Sequence, residues 1–377
     1  MLSDRILEGN FDLDIVAFIV APLYPYFLVL CKWVAVENWE LLAVSSQFLL
    51  VSLSSVYIYK TAYLIFKSTE VAIISALIFI IYPMTLWYNF TLTQETLFQS
   101  FFIIFCFHFL ELLNTHTVKS TILASVFFAL AFLTKSHITV LLPILLGILL
   151  IRIKFSKTAL FVIVILISTI PHGLVNKKLH GVYSFSSYGS NSLLVAGYSD
   201  ETYPCLNSGF KFFRTNQQKT CDLDLIFHQP YITEGFGNIN ALPIYERNRA
   251  RQKVAFSWIK ENPIKFIKLK LNGLIRFILP GLDFRIYKFS TWFLSLIIGM
   301  LIYIPAYITL WHAVKRDFWQ HVLPISLIIT IAIIFLVFYP QQRFRVITLE
   351  PMLIIYASFV YWKLLKPKLR FLNIESN

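Results

Sequence analysis

The chain has 377 residues, of which 57% are hydrophobic and only 14% charged, whereas a soluble domain averages roughly 25% charged and 45–50% apolar. A soluble globular protein is therefore excluded. The formal charge of +13 reads as membrane topology rather than nucleic-acid binding, because the basic residues gather at the ends of apolar runs.

Met1 to Leu13 carries one Arg against Asp4, Glu8 and Asp12, so the basic n-region of a cleavable signal is missing and the apolar segments are expected to direct insertion. The first of these, Ile15–Val34, is interrupted by Pro22 and Pro25, which favour a kinked, re-entrant or surface-lying helix. Clear spanning candidates then follow at Leu41–Tyr59, Val71–Tyr88, Thr96–Leu113, Ser120–Leu133, Ile138–Ile151, Ala159–Leu174, Phe293–Leu310, Val322–Phe338 and Ile347–Trp362. With their flanks, such windows match the roughly 17–25 residues needed to cross a hydrocarbon core about 30 Å thick. The expected fold class is an all-α polytopic membrane protein, a bundle of about 9–10 transmembrane helices with one long extracytoplasmic loop region.

Lys60, Lys67, Lys119, Arg152, Lys154, Lys157, Lys315, Arg316, Lys363, Lys366, Lys368 and Arg370 lie at one set of span ends, and only Lys32, Lys135, Arg343 and Arg345 at the other. That bias predicts a cytoplasmic C-terminus in a cell membrane, the bacterial inner membrane being the expected one. Three regions are expected: a transmembrane module over 1–174, an extracytoplasmic region over 175–288, and C-terminal spans with a basic cytoplasmic tail over 289–377. In the middle region, Ile244–Glu261 reads as a polar, Arg-rich helix, and Pro263 fits the first position of the next, Pro263–Ile278. There Ile264, Phe266, Ile267, Leu269, Leu271, Leu274 and Ile275 are interspersed with Lys265, Lys268, Lys270 and Arg276, the pattern of an amphipathic helix lying at the outer membrane surface.

Of the four cysteines, Cys31 and Cys106 sit in apolar runs and read as small buried hydrophobes. Cys205 and Cys221, separated by fifteen residues of the polar region, are candidates for a disulfide worth about 3 kcal/mol if that region faces an oxidising compartment. An unrelated pair of loop thiols is the alternative. No CxxC or His/Cys cluster supports a zinc site.

Ionisable groups at membrane depth are costly, so those present are the functional candidates. Glu95 closes the run from Pro83 at the end of one span and the start of another. It reads either as a carboxylate at the mouth of an interfacial cavity or as a first-turn acid complementing a helix dipole. Lys135 and His137 cap Ser120–Leu133, to meet an anionic ligand or, for Lys135, to snorkel to headgroups. Arg343 and Arg345 follow Tyr339-Pro-Gln-Gln against the charge bias. Two guanidinium forks there suit phosphate recognition, with headgroup anchoring as the alternative. Glu8, Asp12 and Asp14 are further carboxylates that could join the same face, a merely solvated terminal charge run being the alternative. No GxxxxGK loop, GxSxG elbow or HExxH helix is found.

Taken in order, several segments carry a likeness. They are Pro22-Leu-Tyr-Pro-Tyr-Phe-Leu, Tyr82-Pro83 through Thr93-Gln-Glu95-Thr-Leu-Phe, and Ala129-Leu-Ala-Phe-Leu-Thr-Lys135. Further along come Pro171-His-Gly-Leu-Val-Asn176 with the Gly181–Gly197 run containing Tyr188, Ala255-Phe-Ser-Trp-Ile-Lys-Glu-Asn-Pro263, and Gln342-Arg343-Phe-Arg345 leading to Pro351. Together they resemble the GT-C superfamily of polyprenyl-phosphate-sugar glycosyltransferases, in the branch similar to protein mannosyltransferases and aminoarabinose transferases. The resemblance implies a membrane glycosyltransferase that passes a sugar from a polyprenyl-phosphate donor to a glycan, lipid or protein acceptor at the extracytoplasmic face. An outer-loop carboxylate would act as general base and cations would stabilise the departing phosphate. On that likeness Glu95 is the second acidic site group, and Lys135, His137, Arg343, Arg345, Asn176 and Tyr188 are donor-side groups, while the base is unassigned: Asp4, Glu8, Asp12 or Asp14 could substitute, but none of the four falls on the motif. A divalent metal is allowed but its ligands are unassigned, and nucleic acid is not an expected partner. One departure stands out: Leu7-Glu-Gly9-Asn-Phe looks like the tail of the family's first outer loop, so the usual first span and its acid would fall before Met1. An inactive scaffold of the same fold is the alternative function. A transporter fits less well, since the spans are nearly free of charge and no internal repeat is visible.

Overall fold

A computed structural model describes residues 21–181, 183–185, 244–282, 289–337 and 341–374, together with Ser3, Leu7 and Tyr198. Among these residues every regular element is helical. In chain order the helices are α1 (Leu23–Val34), α2 (Trp39–Phe66), α3 (Thr69–Ile81), α4 (Pro83–Phe90), α5 (Glu95–Thr115), α6 (Val118–Thr134), α7 (Leu142–Arg152), α8 (Phe155–His180), α9 (Ile244–Glu261), α10 (Pro263–Ile278), α11 (Phe289–Arg316), α12 (Val322–Val337), α13 (Gln342–Thr348) and α14 (Glu350–Ile374). A 3-10 turn, Ser136–Leu141, leads into α7.

Among the described residues five helices are long and apolar enough to cross a bilayer, α2, α5, α8, α11 and α12 with its leading turn, and two bent pairs raise the number to seven. Two of the sequence windows, on α6 and on Ser136–Arg152, form shorter apolar helices of at most 17 residues, or about 25 Å at 1.5 Å per residue. The window over Val71–Tyr88 is broken by 47° between α3 and α4. The cause is local: Pro83 has no amide hydrogen and forces Tyr82 into an extended conformation, with ψ 118°. The last window is likewise bent by 58° between α13 and α14. The Pro22/Pro25 stretch yields only the short α1 within the described residues.

Chain reversals follow ordinary capping chemistry. Ser68 accepts a hydrogen bond from the Val71 amide at the start of α3, and Thr117 from that of Ser120 at the start of α6. α8 ends at Gly181, whose φ of 71° suits a residue without a Cβ.

The bundle is organised around α5, which is apolar on every side and 83% buried over its membrane window, as expected of a helix surrounded by others. Its Phe98, Phe102, Phe105 and Phe109 follow one another with ring centroids 5.6 Å apart, the first pair stacked and the next two tilted, and Phe128 of α6 meets Phe105 edge-on at 5.2 Å. Such aromatic pairs add about 0.5–1.5 kcal/mol each beyond area burial. Helices α2 and α6 flank α5, α14 packs against α11 and α3, and α10 lies on α12. In lipid, where no hydrophobic drive separates helix from tail, this close packing carries the association. The outer faces of α2, α8 and α11 keep Leu41, Leu49, Ile167, Leu294 and Leu301 exposed, a lipid-facing surface. Cys31 and Cys106 are buried and free.

Candidate functional site

The loop between α4 and α5, the end of α6 and the start of α13 converge at one end of the bundle. Gln47 of α2 organises the first of these: its side-chain amide donates to the carbonyls of Asn89 (2.9 Å) and Thr91 (3.0 Å), capping the otherwise open end of α4. Thr96 then donates to Tyr88 O and Asn89 Oδ1. The loop is thereby pinned from both sides, and Glu95 is fixed as the first residue of α5.

α6 stops at Lys135, where the backbone turns extended, and its ammonium reaches Glu95 Oε1 at 2.7 Å. Both side chains are almost wholly buried. From α13, Arg343 places Nη1 3.5 Å from the same oxygen, while 46% of its side chain stays exposed. The three groups carry a net charge of +1, with the surplus cation on the open side. Burial pulls the Lys135 ammonium down to about 8, and the Glu95 carboxylate opposes that shift. His137 sits between Phe98 and Phe344, at ring-centroid distances of 4.8 and 4.7 Å, with Nε2 3.3 Å from Thr348 Oγ1. Its other nitrogen, Nδ1, is buried and finds no partner among the described residues, a spare hydrogen-bonding atom beside the cluster.

The structure thus brings together Glu95, Lys135, Arg343 and His137. Arg345 is not among them. Residues two apart on a helix point to nearly opposite faces, and the Arg345 guanidinium turns inward to full burial. Its Nη1 donates to the carbonyls of Arg276 (2.9 Å), Phe277 (3.2 Å) and Leu279 (2.6 Å), and Nη2 to that of Gly281 (3.1 Å). Nε faces Glu350 at 3.3 Å. Glu350 also accepts from Tyr82 (2.6 Å) and Tyr303 (2.8 Å), so this buried ion pair is fully embedded in hydrogen bonds. Asn176, near the end of α8, donates to Ser184 O and pairs with His172, partners within its own segment. Asp12, Asp14, Tyr188, Cys205 and Cys221 lie outside the described residues. Among the described residues no three His, Cys, Asp or Glu side chains group as metal ligands.

Sequence reasoning missed Gln47, Tyr82, Tyr303 and Glu350 as members of this region. The available signal was polar side chains inside apolar runs, Gln47 in Leu41–Tyr59 and Glu350 in Ile347–Trp362, each costly at membrane depth unless partnered.

Comparison with known proteins bears on this geometry. Residues 20–174, which include Glu95, Lys135 and His137, match the family described as dolichyl-phosphate-mannose-protein mannosyltransferase. No curated protein and no solved structure matches the chain. With five to seven long apolar helices among the described residues and this partial match, the chain is a multi-pass membrane protein with a GT-C-like fold.

Proposed function

We propose that the protein is a membrane glycosyltransferase that moves a sugar from a polyprenyl-phosphate donor to a glycan, lipid or protein acceptor at the extracytoplasmic face. The observation that carries the reading is the cluster itself: a buried Glu95–Lys135 ion pair beneath a half-exposed Arg343, at the end of a bundle whose first part resembles a lipid-phosphate sugar transferase. In the transfer, the bond from the sugar's anomeric carbon to the phosphate oxygen breaks and a bond to the acceptor oxygen forms. The acceptor proton goes to a base, and the electron pair leaves with the polyprenyl monophosphate.

Arg343 is placed to meet that developing charge, and Lys135 adds a second cation behind it. Glu95 holds both through one oxygen, so its role is to order the cations. The base is then a different carboxylate, with Asp12 and Asp14 as the candidates, and the spare His137 Nδ1 offers a contact to the donor.

The test is to incubate the purified protein with a panel of undecaprenyl phosphates charged with single pentoses and hexoses, with detergent-extracted membrane components as acceptors. Release of undecaprenyl monophosphate from one panel member, lost in Arg343→Ala, is expected. No release from any member, with the protein intact, would count against the transferase and favour a scaffold.

A further inference from the structure

We propose that Arg345 is the positioning residue of the candidate site. It holds the carbonyl end of α10 against α13 and thereby sets where Arg343 stands, so that the seating of α10 governs affinity for a phosphate-bearing lipid. The inference rests on the donor-binding reading above and names how that site is regulated.

A helix ends with carbonyls that lack partners, and a single buried guanidinium collects those of Arg276, Phe277 and Leu279 together with that of Gly281. Here four carbonyls converge on one side chain, and a dedicated anion, Glu350, balances its charge from α14. The clamp therefore joins α10, α13 and α14, while two tyrosines tie it to α11 and the α3–α4 break.

α13 has only seven residues and lies between the extended Gln341 and the 58° bend. It has little freedom to adjust independently, so a shift in Arg345 is carried to Arg343 two residues away. The far side of the clamp is also closely seated. A Cβ at Gly273 would lie 2.9 Å from the Phe335 carbonyl of α12, and one at Gly281, where φ is +93°, 2.8 Å from the Leu296 amide. On its other side α10 exposes Ile264, Ile267, Leu271, Ile275 and Ile278, one stripe at helical spacing. A contact that moves this stripe moves the clamp.

Two variants perturb the clamp from opposite ends. Arg345→Lys keeps the charge but cannot reach four carbonyls and a carboxylate from one ammonium. Gly273→Ala lifts α10 without touching Arg345 or the cluster. Each is made with Cys31, Cys106, Cys205 and Cys221 replaced by alanine and nitroxide labels at Lys268→Cys on α10 and Gln342→Cys on α13. Label separation is read by pulsed electron paramagnetic resonance. Farnesyl phosphate affinity is read calorimetrically in detergent on the unlabelled proteins, and circular dichroism confirms that helix content is retained. The proposal expects both variants to widen the label distribution and to weaken farnesyl phosphate binding at least tenfold, and expects the ligand to narrow the distribution in the parent protein. A widened distribution with unchanged affinity would overturn it, leaving Arg345 a structural cap only. If Arg345→Lys fails to fold, Gly273→Ala alone decides between these outcomes. Absence of any farnesyl phosphate binding in the parent protein would overturn the donor-site reading, and the regulation with it.

Discussion

Replacing Lys135 with Met removes one half of an ion pair whose side chains are 6% and 3% exposed and whose charged atoms are 2.7 Å apart. Breaking a buried pair from one side costs roughly 3–5 kcal/mol, because the remaining charge stays buried, whereas an exposed pair is worth about 0–1 kcal/mol. Two features set the size expected here. Arg343 remains 3.5 Å from the orphaned carboxylate, so the loss should fall near the lower figure, about 3 kcal/mol. Glu95→Gln should be milder, because Lys135 already sits at about 8 and can give up its proton near neutral pH, at about 1.4 kcal/mol per unit. The double variant Glu95→Gln/Lys135→Met should then recover part of the Lys135→Met loss, giving a coupling above about 1 kcal/mol, within the range for contacting residues. The assay is SDS-driven unfolding in mixed micelles at pH 7, followed by circular dichroism. Single-variant losses below about 1 kcal/mol with additive double-variant behaviour would refute the buried-pair argument, since that is how a solvated surface pair behaves.

Three further outcomes follow from the same structure. Gln47→Leu orphans the carbonyl of Asn89 and leaves that of Thr91 with the Thr93 amide alone, at about 1–3 kcal/mol for the orphaned group, and faster amide exchange across residues 89–96 should report it. Removing the Tyr82 and Tyr303 hydroxyls together strips two of the three donors from Glu350, so Tyr82→Phe/Tyr303→Phe should lose more stability than either single change, measured by the same unfolding assay. The pH dependence has a definite sign. Lys135 releases its proton at about 8 in the folded state, below its unfolded value, so the unfolded chain holds more protons between the two. Its contribution to folding stability thus rises as pH climbs through 8 toward 10. Over the same rise the site loses a cation, so farnesyl phosphate binding should weaken above pH 8 in the parent protein and stay flatter in Lys135→Met.

Much of this architecture was legible because a bilayer demands runs of apolar residues, and the prolines and basic residues that bound those runs are visible in the chain. Glu95, Lys135, His137 and Arg343 were legible for a related reason: ionisable and polar groups at the same end of successive apolar segments are brought together by antiparallel packing. The division of labour between Arg343 and Arg345 was not. It depends on α13 being helical, which puts the two side chains on nearly opposite faces, and on the carbonyl end of α10, distant in sequence, arriving where Arg345 points. Glu350 was equally hidden, because a lone acid in an apolar run shows its cost but not the three donors that offset it. The bend at Pro83 could be anticipated, whereas that between α13 and α14 lies before Pro351 and is tied to the Arg345–Glu350 contact.

The most direct measurement is calorimetric titration of farnesyl phosphate into the parent protein and Arg343→Ala at low and high salt. A charge-assisted hydrogen bond to phosphate is worth about 1.5–3 kcal/mol. The account therefore predicts at least a tenfold loss of affinity in Arg343→Ala and a smaller salt dependence than in the parent. Equal affinity in the two proteins at both salt concentrations would contradict the claim that this cluster receives the lipid phosphate.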